Sequence, residues 1–170
     1  MPQRILGTLL LLLALPAVQS TAQRSASTNL TVRVTPEARL EPQQVALRFL
    51  VSADGKTDAV AQSGTVKAWV RALPGQRIGV TAHLTGLEGP NGPISETAVA
   101  WTSSVANATP GAQQAVGSKG SFGRGAFQEL VEGWERSGIL TCSVNFELLG
   151  ARSLPPGVYS GVVDFAVSAH

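Results

Sequence analysis

Leu140-Thr141-Cys142-Ser143-Val144-Asn145-Phe146-Glu147-Leu148 sets apolar side chains at every even position against Thr, Ser, Asn and Glu at every odd one. Successive side chains of a strand point to opposite faces, so this two-residue period describes a strand with one face in a core and the other in water. The period recurs outward in both directions. Tyr159-Gly161-Val163-Phe165-Val167 face away from Val158-Ser160-Val162-Asp164-Ala166, and Val45-Leu47-Phe49-Val51 alternate with a mixed face that holds Arg48. Val66-Ala68-Val70 oppose Lys67-Trp69-Arg71, Ile78-Val80-Ala82-Leu84 oppose Arg77-Gly79-Thr81-His83, and Leu30-Val32-Val34 oppose Thr31-Arg33-Thr35.

Turn chemistry separates these runs. Asp54-Gly55 follows the second, Leu73-Pro74-Gly75-Gln76 divides the third from the fourth, and Gly89-Pro90-Asn91-Gly92-Pro93 precedes a run near residues 97–102 with Trp101 on its apolar phase. Ser137-Gly138 and Pro155-Pro156-Gly157 introduce the last two. Pro fixes φ and Gly accepts φ > 0, as tight turns require. Short half-apolar strands with turns between them predict an all-β fold: two antiparallel sheets of about 7–9 strands in total, packed face to face as a sandwich. Residues 37–44 read as a linker and 106–125, rich in Gly and Ser, as a long hairpin loop. Residues 126–136 are ambiguous. Phe127, Leu130, Val131 and Trp134 have helical spacing, but Gly133 interrupts them and both neighbours are β, which favours strand plus turn.

Composition bounds the function. The 170 residues are 44% apolar and 14% charged, too apolar for a disordered chain. Thirteen Lys and Arg against 11 Asp and Glu leave no electrostatic footprint for nucleic acid. Arg4, the apolar residues 5–18 with their Leu-rich centre, and the small Ser20 and Ala22 have the layout of a secretory signal peptide over residues 1–22. The remainder, 23–170, is expected to be one domain, secreted to the periplasm or cell surface and free of the membrane once the leader is removed. The lone Cys142 excludes an internal disulfide, and its place on an apolar phase suggests a small buried hydrophobe; a free reactive thiol or an intermolecular disulfide is the alternative.

Catalytic patterns are missing. Gly157-Val158-Tyr159-Ser160-Gly161 puts Ser160 one residue away from the position of a nucleophile elbow, and within a strand. Glu129, Glu132 and Glu135 lie three apart with no partner nearby, and His83 and His170 supply no metal spacing. No catalytic residue, metal ligand or cofactor is expected. The one candidate contact is Trp69, which shares a strand face with Lys67 and Arg71. It could stack on a sugar or a partner, or lie beneath the aliphatic stems and charges of those two cations.

The C-terminal third, from Trp134-Glu135-Arg136-Ser137-Gly138 to Pro156-Gly157-Val158-Tyr159-Ser160-Gly161-Val162-Val163-Asp164-Phe165, resembles the closing strands of exported bacterial immunoglobulin-like sandwiches, including spore-coat-U-like and pilin-subunit domains. The resemblance implies a non-catalytic structural or adhesive surface protein that assembles through its sheet edges, with Leu30, Val32 and Val34 as a segment able to exchange between copies. Protein partners or self-association would follow. An extracellular carbohydrate- or protein-binding module is the alternative. The single Cys departs from pilin subunits, which usually carry a disulfide.

Overall fold

A computed structural model describes residues 35–54 and 59–170, all within one compact unit, Arg33–His170. The leader and the Leu30, Val32 and Val34 segment lie outside the described residues. Among the described residues the chain forms β1 (Glu37–Glu41), β2 (Gln44–Val51), β3 (Ala59–Arg71), β4 (Ile78–Gly89), β5 (Gly92–Pro93), β6 (Val99–Ala108), β7 (Val116–Gly117), β8 (Lys119–Ser121), β9 (Gln128–Trp134), β10 (Gly138–Leu149) and β11 (Gly157–Ala169). Eight of these are five residues or longer, within the expected range; β5, β7 and β8 are the short additions.

The strands make two antiparallel sheets. The first runs β1-β3-β10-β6-β8 and the second β2-β11-β4-β9-β7, with β5 on β4. From β3 onward consecutive long strands alternate between sheets, so the long connections arch over the core instead of turning back within one sheet. Each inward face therefore belongs to strands whose sequence neighbours face it from the other side.

The alternation in β10 is realised in full: Leu140, Cys142, Val144, Phe146 and Leu148 are all buried. Phe146 lies 6.2 Å from Phe122 and 6.5 Å from Phe165 between ring centroids, joining the first sheet to the second. Side chains of this size contribute roughly 1.5–3 kcal/mol each when fully buried. Trp101 is buried as its phase predicts. Tyr159 is buried too, and its hydroxyl donates to the Pro155 carbonyl at 2.7 Å, fastening the start of β11 to the turn before it.

Within residues 126–136, Gln128–Trp134 form strand and there is no helix. Pairing of β9 with β4 runs Ile78 to Trp134 and then Val80 to Val131, so β9 carries an extra residue there, and Gly133 adopts φ 74°. This bulge brings Val131 and Trp134 to one face, and a second register shift, from Val80–Val131 to Thr81–Glu129, lets the adjacent Leu130 face inward as well. Their helix-like spacing is the trace of that irregularity. Two other expectations are corrected. Residues 37–44 are not a linker, since 37–41 form β1; residues 106–125 are not one loop, since they hold the end of β6, a 3-10 turn (Pro110–Ala112), β7 and β8. Short strands rich in Gly and Ser carry too few apolar side chains to show a period.

Candidate binding face

The outward side chains of the first sheet form the surface on which Trp69 sits. Because β1, β3 and β10 are in register, Arg39, Trp69 and Ile139 lie side by side across three strands. Glu37 is opposite Arg71, and Glu41 is opposite Lys67. The Lys67 ammonium lies 4.7 Å from the Trp69 ring centroid and the Arg39 guanidinium carbon 5.7 Å from it. Arg39 is also ion-paired with Glu41. Trp69 is half-buried, and beside it runs an open groove of about 450 Å³ that Arg39, Arg71 and Ile139 help to line.

Sequence reasoning placed Lys67 and Arg71 over the ring. The structure brings Lys67 and Arg39 there, while Arg71 lines the groove and faces Glu37. Arg39 was missed because its segment read as a linker. A signal was present: Glu37, Arg39 and Glu41 alternate with Ala38 and Leu40, the charged pattern that edge strands carry.

Beyond Trp69 the face changes character. Lys67, Thr141 and Asn107 form one row across the sheet, Thr65, Ser143 and Ser104 the next, and Ser63, Asn145 and Thr102 a third. Eight of these nine side chains are uncharged hydroxyls or amides, so the face offers donors and acceptors without a strong field.

The outer face of the second sheet holds a different cluster. Asp164 accepts from Gln44 Nε2 at 2.6 Å and from the Thr85 hydroxyl at 3.1 Å. That hydroxyl is 3.3 Å from His83 Nδ1, and the His83 ring lies 5.0 Å from Phe127. The hydroxyl sits between imidazole and carboxylate and gives its proton to the carboxylate. A nucleophile needs the imidazole in the middle position, so this order does not activate Thr85. Ser160 is exposed on β11, and Glu129, Glu132 and Glu135 are exposed along and just after β9.

Cys142 is fully buried, and burial pushes its thiol from 9.0 up to about 11, against smaller opposing effects of hydrogen bonds from Ser104 and Ser103. The neutral thiol is a poor nucleophile. Among the described residues no three His, Cys, Asp or Glu side chains are grouped to hold a metal ion, and no helix is long and apolar enough to cross a membrane. No family model matches the chain, and no match was found to a curated protein or a solved structure.

Proposed function

We propose that the protein is a non-catalytic structural or adhesive module of the cell exterior, a coat- or pilus-like component that works through its sheet faces and edges. The observation that supports this most is the layout of the first sheet's outer face. Three rows of hydroxyl and amide groups lie flat beside Trp69, a geometry suited to contact with an extended surface. The test is to express the full chain with its leader and recover it from the cell exterior. The expected result is protein shortened by about the length of a leader and retained on the cell surface or in an insoluble coat fraction. Full-length protein confined to the cytoplasm would overturn the reading.

The groove beside Trp69 favours a second reading, a carbohydrate- or protein-binding module that uses Trp69, Lys67 and Arg71 with Arg39. Oligosaccharides that protect Trp69 from quenching would support it. Loss of surface retention in a Trp69→Ala variant that binds no sugar would favour protein contact instead.

A further inference from the structure

Among the described residues β2 is an edge of the second sheet, and its sequence Gln44-Val45-Ala46-Leu47-Arg48-Phe49-Leu50-Val51 suits strand pairing: β-branched, aromatic and aliphatic residues, no Pro or Gly, and one charge. Val45, Leu47, Phe49 and Val51 sit opposite Val163, Gly161, Tyr159 and Gly157 of β11. The Ala46 carbonyl and the Arg48 N–H point away from β11, toward the edge. Beside that edge apolar outward pairs alternate with the polar pairs Arg48–Ser160 and Gln44–Asp164. Leu50 is 67% exposed and sits opposite Val158, itself 39% exposed; Ala46 sits opposite Val162, 38% exposed. Among the described residues no strand pairs with this edge, and such an edge with exposed apolar side chains beside it is a template for another chain.

This edge is occupied from within. Gln62, on β3 of the other sheet, accepts the Arg48 N–H at 2.7 Å and donates to the Ala46 carbonyl at 3.2 Å. One side-chain amide thus satisfies the two backbone groups that flank Leu47, at the middle of β2, where an incoming strand would bond.

We propose that β2 is a self-association edge latched by Gln62. With the amide in place β2 accepts no strand; with it withdrawn, β2 pairs antiparallel with β2 of a second copy. The occupant is a second copy because a two-fold axis through Leu47 returns the edge to itself and sets Arg48 of one copy opposite Ala46 of the other. The strand's single charge then faces a small apolar side chain, and Leu50 of each copy lies opposite uncharged Gln44 of the other, so no like charges meet. The latch stands on the Gln62 geometry alone and does not require the surface role proposed above.

The test compares wild type with Gln62→Thr, which removes the amide, and Gln62→Asn, which keeps it one methylene too short to span both groups. Sedimentation velocity from micromolar to millimolar concentration reads association, and circular dichroism shows that each variant retains its β fold. Wild type is expected to be monomeric across the range. Both variants should dimerise at concentrations at least about tenfold lower, a change of about 1.4 kcal/mol. Adding Ala46→Lys to either variant should restore the monomer by placing a second charge beside the edge. In dilute, monomeric samples the Arg48 amide should exchange its hydrogen faster in either variant than in wild type.

Variants as monomeric as wild type would overturn the latch. So would a wild type already associated through β2, association that Ala46→Lys leaves intact, or equal Arg48 exchange in all proteins. A wild type that is absent from the cell surface, together with variants that dimerise, would sink the proposed function and leave the latch standing.

Discussion

On one flank of the sandwich the chain crosses between sheets as two full strands, β1 leading into β2 through Pro42-Gln43. On the other it crosses as Val116-Gly117-Ser118-Lys119, with β7 bonded to β9 and β8 to β6. The first crossing is bonded from the opposite sheet by half-buried Gln62, through bonds that lie at the surface. The second is bonded by buried Ser103, whose hydroxyl donates to the Leu130 carbonyl and accepts the Ser118 N–H at 2.8 Å, while its backbone N–H donates to the Ser118 carbonyl. Both fastenings tie one sheet to the other. They differ in access to water, and water decides what their loss costs. An exposed backbone group that loses its partner finds solvent, whereas a buried one bears its desolvation penalty alone.

Gly117→Ala should break the second crossing most severely. A Cβ there would fall on the backbone of Ser103 and Ser104, which cannot rotate away as a side chain could. Overpacking of this kind costs roughly 1–3 kcal/mol, and urea unfolding should place this variant near the upper end. Ser103→Ala should follow at about 1–1.5 kcal/mol, because it removes the hydroxyl's bond to the buried Leu130 carbonyl, although that carbonyl still accepts the Ser118 N–H and the Ser118 carbonyl still accepts the Ser103 N–H. Gln62→Ala should cost under about 1 kcal/mol in the same assay, since its bonds lie at the surface. Equal costs for Ser103→Ala and Gln62→Ala would show that the two flanks are not set apart by burial.

The second flank can also be probed through pH. Cys142 packs against that side, with Ser103 among the groups that hold its thiol below where burial alone would put it. The folded thiol titrates at about 11 and the unfolded one near 9.0. Between those values the unfolded chain holds fewer protons, so stability must fall as pH rises through the window. Wild type should lose stability there relative to Cys142→Ala, and match its slope below pH 9.0. A wild-type slope equal to that of the variant throughout would mean that the thiol is not held neutral by burial.

The same contrast explains what could be read in advance. β2, β10, β11 and the second half of β3 carry apolar phases because each packs that face on the core, so their positions and inward residues were legible. The second crossing buries Ala112, Ala115 and Phe122 at irregular spacing and relies on Ser and Gly, which in sequence look like a loop. Gly117 and Ser103 take their roles from backbones distant in sequence, and no local pattern announces them. β9 lay between these cases, its period displaced by the bulge at Gly133. At the candidate site Trp69 and Lys67 were visible on one strand face. Arg39 arrives from β1, and register between strands, not spacing along one strand, sets it beside the ring.

That last difference yields the smallest expected effect and the finest test of the first flank. Trp101 and Trp134 are buried and Trp69 is half-buried, so a neutral quencher such as acrylamide should report chiefly on Trp69. Exposed cation–π contacts contribute about 0.5–1 kcal/mol, so removing one should barely move the melting curve while uncovering part of the ring. Lys67→Ala, which removes the cation at 4.7 Å, should raise quenching most, and Arg39→Ala, at 5.7 Å, should raise it less. Arg71→Ala should leave quenching unchanged, since Arg71 lines the groove opposite Glu37. If Arg71→Ala uncovered the ring and Arg39→Ala did not, β1 would not be pairing with β3 in this register. The first flank would then lack the strand that carries the chain across to β2, and the contrast between the two crossings would fail at its origin.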